Sequence, residues 1–170
     1  MRTLLWIVLG WIGVTVVTAF EARLQLGALP DPAVIVMCFL ALRRTPIQVG
    51  VVAIALGYLT GRAALAPVGL HASALVFCAL AVYAVTGQLV ARGAAFYGLV
   101  CAATNMLYHL SLYFLVWIGG GIPAFSGWAA ALLVPSSMLT GMVAGLVYPL
   151  FDWLDQRLSP QERTGVLSWR

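Results

Sequence analysis

Six apolar stretches, separated by short connectors, occupy almost the whole of this 170-residue chain. They cover residues 4–20, 29–42, 46–65, 70–91, 94–118 and 128–151. A helix needs about 20 apolar residues to cross a hydrocarbon core of about 30 Å. Because a backbone in lipid must satisfy its own hydrogen bonds, each stretch is predicted to be helical. The sequence therefore predicts an all-α membrane protein, a bundle of six transmembrane helices.

The composition leaves little chain for anything else. Hydrophobic residues make up 63% of the sequence and charged residues 8%, which differs strongly from the mixture typical of soluble domains. Residues 1–151 are predicted to form one transmembrane domain, and residues 152–170 a short cytoplasmic tail. Within that tail, residues 159–162 have the pattern of a helix-capping box. They predict either a short surface helix or a frayed terminus.

Arginines determine the predicted topology. The chain has nine arginines and no lysine, and arginine is enriched in cytoplasmic connectors. With six crossings and the N-terminus inside, seven arginines lie on the cytoplasmic side: Arg2, Arg43, Arg44, Arg92, Arg157, Arg163 and Arg170. Arg23 and Arg62 then lie outside. Both termini are therefore predicted to be cytoplasmic, in a bacterial inner membrane.

The second apolar stretch is short for a membrane span. Its fourteen residues rise only about 21 Å as a helix. If it did not cross and the N-terminus stayed inside, every later connector would change sides. The arginines would then divide two inside against seven outside, which reverses the positive-inside bias. We therefore predict that it crosses, with local membrane thinning or shielding by neighbouring helices compensating for its length.

Several function classes find no support in the residue pattern. The arginines occur singly or in pairs between apolar runs, which argues against nucleic-acid binding. Cys38, Cys78 and Cys101 lie inside apolar runs without metal-ligand spacing, so no metal or cofactor site is predicted. The acidic residues lie at the edges of the runs, where water would solvate them, and no catalytic motif is present. The chain is therefore predicted not to be an enzyme.

The most polar group within an apolar stretch lies in the fifth. Asn105 and His109 are four residues apart and share one helix face, with Tyr108 and Ser111 nearby. Ionisable residues at membrane depth are candidates for function, but no carboxylate is expected at the depth of His109. We therefore favour hydrogen bonding between helices over a proton relay.

Two G-x-x-x-G patterns permit close helix approach. The first joins Gly57 to Gly61 in the third stretch, and the second joins Gly141 to Gly145 in the sixth. Packing inside the bundle is favoured over contact with a partner's helix. Residues 135–137, Pro-Ser-Ser, interrupt the sixth stretch. There we favour a kink satisfied by the neighbouring hydroxyls over a substrate-binding break.

Between Pro30 and about Ala84 the sequence resembles the MreD family of bacterial rod-shape-determining membrane proteins. The motif residues that carry the resemblance are Pro30, Asp31, Arg43, Arg44, Pro46, Gly57, Pro67, Gly69 and His71. The length and the six-span layout also agree with that family. The chain departs from the family at Gly61, where an acidic residue is often found.

The resemblance to MreD implies a non-enzymatic scaffold that contacts membrane lipid. Such a protein binds the single-span protein MreC, and through MreC helps to position RodA and its penicillin-binding transpeptidase for wall synthesis. The resemblance also implies a likeness to the six-helix S components of energy-coupling-factor transporters. A vitamin- or metal-binding S component is therefore the alternative function. It would need polar groups that converge at the outer end, and the outer connectors offer few.

Overall fold

The computed structural model describes residues 2–24, 29–67, 69–86, 93–119 and 127–158. Six α-helices fill these ranges: α1 (Arg2–Leu24), α2 (Pro32–Ala41), α3 (Pro46–Ala63), α4 (Leu70–Thr86), α5 (Ala94–Ile118) and α6 (Gly127–Leu158). The described part of the chain is helical apart from short connections, which confirms the predicted all-α bundle.

Four helices are long and apolar enough to cross a membrane, namely α1, α3, α5 and α6. The helices α2 and α4 are apolar but shorter, with 10 and 17 residues. The chain is therefore a multi-pass membrane protein. The predicted cytoplasmic Arg92 and the predicted capping box at residues 159–162 lie outside the described residues.

The short helix α2 occupies the centre of the bundle. Each residue from Ala33 to Ala41 is at most 5% exposed, and α2 contacts all five other helices. A helix that is apolar on every side is stable only when it is surrounded. Neighbouring pairs α1 and α3, α3 and α4, α4 and α5, and α5 and α6 pack side by side around it. The predicted shielding of the second stretch by other helices is confirmed.

Aromatic rings from α1, α2 and α6, which are distant in sequence, meet at one end of the bundle. The ring of Trp6 in α1 lies 5.0 Å from that of Phe39 in α2 and 5.3 Å from that of Phe151 in α6, between centroids. The last helix does not end at Phe151, where the apolar stretch ends, but continues to Leu158. The predicted boundary between transmembrane domain and tail therefore falls inside a continuous helix.

Glycines permit close contact between helices at two places. A Cβ on Gly57 of α3 would overlap the backbone of Ala72 in α4. A Cβ on Gly98 of α5 or on Gly141 of α6 would lie 2.7 Å from the other residue's carbonyl oxygen. A Cβ on Gly145 would lie 3.4 Å from a carbonyl oxygen of α5. The G-x-x-x-G patterns therefore pack inside the bundle, as predicted.

Replacing Gly57 by alanine is expected to lower the free energy of unfolding by about 1–3 kcal/mol, because the new methyl group overpacks a backbone contact. Gly50, two turns earlier on the same helix, has nothing within 4 Å of the position of an added Cβ. Gly50→Ala is therefore expected to raise stability by up to about 1 kcal/mol through helix propensity. Thermal unfolding in detergent measures both changes, and equal effects would contradict the close contact between α3 and α4.

Candidate functional site

Two arginines and two aspartates join the corner between α2 and α3 to the end of α6. Arg43 donates a hydrogen bond to the Asp152 carboxylate at 2.6 Å and a longer one to Asp155 at 3.3 Å. Arg44 donates to the other oxygen of Asp155 at 2.6 Å. These four residues are called the arginine–aspartate cluster below. The cluster connects the corner to a helix turn that lies 109 residues later in the chain.

The guanidinium of Arg43 is held on several sides at once. It donates to the hydroxyl of Tyr148 at 3.1 Å, and its central carbon lies 4.7 Å from the centroid of the Phe39 ring. Burial lowers the pKa of Arg43, but hydrogen bonds to Asp152 and Tyr148 outweigh this effect, so the pKa lies above its usual value. A lysine, with a single point charge, could not make this set of contacts together.

The expectation that water solvates the acidic residues is wrong for Asp152 and Asp155. Their side chains are 29% and 13% exposed, and both are paired with arginine. Residues three apart share a face of a helix, so both carboxylates point to the corner once α6 extends past Phe151. The spacing of the two aspartates, on the same predicted membrane side as Arg43 and Arg44, is a signal that sequence reasoning missed.

Asp31 caps the N-terminus of α2. Its Oδ1 accepts hydrogen bonds from the backbone N–H groups of Ala33 at 2.9 Å and Val34 at 3.3 Å. Pro32 follows as a first-turn residue, where its missing N–H costs nothing. A side-chain cap satisfies donors that a helix start leaves open, which matters most where water is scarce. The Pro30-Asp31 motif of the sequence thus marks the start of the central helix.

Hydroxyl groups of α6 hold the segment that enters α2. The hydroxyl oxygen of Thr140 accepts a hydrogen bond from the backbone N–H of Asp31 at 3.1 Å. The hydroxyl of Ser136 donates to the carbonyl of Leu29 at 3.1 Å. The helix α6 runs through Pro135 without interruption. The substrate-binding break that was the disfavoured interpretation of residues 135–137 is therefore absent from α6.

Asp31 lies near half the thickness of the bundle. The ten residues of α2 rise about 15 Å between the arginine corner and Asp31. Along α6, the residues from Asp152 to Thr140 rise about 18 Å. Both lengths are close to half of a hydrocarbon core of about 30 Å. The expectation that no carboxylate lies at the depth of His109 is therefore wrong, because the short helix places Asp31 deep in the bundle.

Side chains from α4 and α5 lie around Asp31 and form with it the Asp31 cluster: Asp31, His71, Tyr108 and His109. His71 Nδ1 lies 2.5 Å from the hydroxyl oxygen of Tyr108. Both imidazoles are close enough to the Asp31 carboxylate to interact with it electrostatically. The rings of Tyr108 and His109 have centroids 5.5 Å apart. The structure thus brings together His71, from the predicted family motif, and the predicted polar face of the fifth stretch.

Asn105 and His109 have different surroundings, although they share a face of α5. Asn105 is fully buried, and its Nδ2 donates to the hydroxyl of Ser137 in α6 at 3.4 Å. This is the predicted kind of hydrogen bond between helices. Its Oδ1 has no partner among the described residues. His109 is half-buried and, within the described ranges, contacts the Tyr108 ring and the charge of Asp31 without a hydrogen bond.

The remaining residues of the family-like motif shape the connections between helices. Pro46 is the first residue of α3, where proline suits the first helical turn. The carbonyl of Pro67 accepts a hydrogen bond from the N–H of Leu70 at 3.2 Å. Gly69 has φ +91°, a left-handed conformation that favours glycine. These residues set the turn through which the chain enters α4.

No group of three or more His, Cys, Asp or Glu side chains placed to bind one metal ion occurs in the described ranges. The three cysteines are free and buried, as predicted. No protein-family model matches the chain, and no curated protein or solved structure matches it significantly. The argument for function therefore rests on the residues and their geometry.

Asp155→Asn is expected to lower the free energy of unfolding by about 1–3 kcal/mol, because Arg43 and Arg44 lose a shared, poorly solvated carboxylate. A matched control on the same helix is Arg157→Ala, since Arg157 is exposed and lies 4.5 Å over the ring of Trp153. That change is expected to cost about 0.5 kcal/mol. Thermal unfolding in detergent gives both values, and a loss for Asp155→Asn no larger than the control would contradict a stabilising cluster.

Asp31→Ala is expected to lower the free energy of unfolding by about 1–2 kcal/mol through loss of the cap, whereas Asp31→Ser is expected to retain most of the cap energy. Both variants remove the negative charge, so their difference isolates the hydrogen bonds to Ala33 and Val34. The same unfolding measurement in detergent applies. Equal losses for alanine and serine would show that the cap does not stabilise α2.

Proposed function

We propose that this chain is a non-enzymatic scaffold of the MreD type in the bacterial cell-elongation machinery. In this proposal it lies in the inner membrane with both termini in the cytoplasm and binds an MreC-like single-span protein. Through that partner it helps to position RodA and its penicillin-binding transpeptidase for peptidoglycan synthesis.

The observation that carries the proposal is the position of the residues behind the family resemblance. Asp31 starts the central helix, Arg43 and Arg44 connect its end to α6, and Gly57 permits contact between α3 and α4. These residues determine how the bundle is assembled. A resemblance that rests on such residues supports a shared architecture, and the architecture supports a shared role as a scaffold.

The lipid-facing surface supports a partner that binds within the membrane. On α6, Met138, Met142, Leu146 and Leu150 follow one another at four-residue spacing and are 58–77% exposed. Helices associate in lipid by close packing and a few hydrogen bonds rather than by the hydrophobic effect. The two carboxylates of α6, Asp152 and Asp155, are already paired with arginines. This arrangement favours recognition by apolar helix faces over acid–base chemistry.

The proposal is tested by site-specific photo-crosslinking in native membranes of the source bacterium. One crosslinking residue is placed on the lipid-facing side of each outer helix, at positions 51–71% exposed: Trp11, Ile54, Phe77, Leu99 and Met142. We expect a crosslink to a single-span MreC-like protein at one or two neighbouring helices, identified by mass spectrometry. Leu75, fully buried in α4, is the matched control that should give no adduct.

A partner helix that packs on one face should leave the other faces uncrosslinked. Equal adducts at all five positions would indicate random collision. The absence of any MreC-like protein among the adducts, together with its absence from the tagged protein after purification in mild detergent, would contradict the scaffold function.

The S-component function remains the second candidate because of the Asp31 cluster. The polar side chains of this cluster come from the residue before α2, from α4 and from α5. They converge in the half of the bundle opposite the arginine–aspartate cluster. Convergent polar groups of this kind are typical of a ligand site. Native mass spectrometry of the purified protein distinguishes the two functions, since an S component would retain a stoichiometric vitamin or transition-metal ion and a scaffold would not.

A further inference from the structure

Within the described part of the chain, one oxygen of the Asp31 carboxylate accepts hydrogen bonds and the other does not. Oδ1 accepts both hydrogen bonds of the α2 cap, and none of the described residues donates to Oδ2. The carboxylate is also deep in the bundle, about 15 Å along α2 from the arginine corner. A single uncompensated charge at such a depth is strongly unfavourable. The folded protein therefore requires a positive charge close to Asp31.

The arginines do not supply this charge, because Arg43 and Arg44 lie at the far end of α2 and are paired with Asp152 and Asp155. Around Asp31, α4 contributes His71 and Cys78, and α5 contributes Tyr108 and His109. The buried residues described in α1 and α3 carry no charge, and α6 contributes hydroxyl groups.

If one carboxylate and two imidazoles share one added proton, the group as a whole has no net charge. The proton resides on a histidine as an ion pair or on Asp31 beside neutral histidines. Oxygen atoms also lie nearby, since the hydroxyl of Thr140 accepts the hydrogen bond of the Asp31 N–H. One turn before Thr140, Ser137 accepts a hydrogen bond from Asn105, whose buried Oδ1 has no partner among the described residues. Oxygen atoms of carboxylate, amide and hydroxyl groups suit a hard cation. Either a proton or a hard monovalent cation would bring one positive charge to the Asp31 carboxylate.

We propose that the Asp31 cluster binds one monovalent cation, either a proton or a sodium ion, which reaches it from the end of the bundle opposite the arginine–aspartate cluster. Occupancy neutralises Asp31 and stabilises the junction of α2, α4, α5 and α6. This site is independent of the proposed scaffold function, because it needs no partner protein.

The test compares the wild-type chain with Asp31→Asn in detergent, by melting temperature between about pH 6.5 and pH 8, where the two histidines of the unfolded chain lose their protons and solvated carboxylates do not titrate. Asparagine caps a helix as well as aspartate does, so this variant removes the charge and keeps the cap. In this range the unfolded chain holds on average less than one proton on its two histidines, so a folded wild type that keeps one proton becomes less stable as pH rises. In Asp31→Asn the imidazoles stay uncharged when folded and take up protons when unfolded, so stability rises with pH.

A second comparison, with and without sodium, shows whether the bound cation is a proton or a sodium ion. At the alkaline end of the range, sodium chloride replaces choline chloride at constant ionic strength. A sodium-dependent rise in the melting temperature of wild type but not of Asp31→Asn identifies sodium, whereas opposite pH slopes without a sodium effect identify the proton. Asp152→Asn is the control, since it removes a carboxylate at the other end and should keep the wild-type behaviour. Wild type and Asp31→Asn with the same pH and sodium dependence would overturn the proposal.

A second measurement applies if Asp31→Asn does not purify as a folded protein. The chain contains only two histidines, so their ring signals in NMR spectra can be assigned with His71→Gln. We expect at least one imidazole to bind its proton about tenfold more tightly or more weakly than free histidine, or to respond to sodium. Two imidazoles that titrate as free histidine, without a response to sodium, would also overturn the proposal.

Discussion

A helix too short to cross a bilayer and too apolar to face water can exist only inside other helices, and α2 meets that constraint. Its residues are almost completely buried. The backbone groups and charges at each of its two ends therefore need partners inside the bundle. At its N-terminus, Asp31 caps the helix and hydroxyl groups of α6 bind the entering segment. At its C-terminus, Arg43 and Arg44 pair with carboxylates of α6. Both polar clusters of the protein therefore follow from the central position of one short helix.

Much of the fold was predictable because apolar run length, arginine position and glycine spacing are local properties. They indicated six helices, a shielded second helix, and internal packing at Gly57 and Gly141. The helix ends were less predictable, since α6 continues beyond its apolar stretch through Asp152 and Asp155. That extension is stabilised by arginines of a distant corner, and hydropathy alone contains no information about such pairs.

The candidate site shows the same limit. Asn105 was expected to bond another helix and does, but its partner Ser137 could not be chosen among the polar residues of five other helices. Asp31 was expected in an outer connector because its neighbours in sequence are loop-like. Its true depth depends on how few helical turns separate it from Arg43. Gly98, which contacts Gly141 without any motif of its own, likewise becomes recognisable only from the packing of two helices.

The bonds between the entry of α2 and α6 also bear on the order of membrane insertion. Asp31 and Leu29 find their hydroxyl partners more than 100 residues further along the chain. A ribosome delivers those partners only after three further segments, so the entry of α2 cannot form these bonds until α6 has been inserted. The bundle around α2 is therefore complete only when α6 has been inserted. Truncations that remove α6 should leave α2 without a stable position in the membrane.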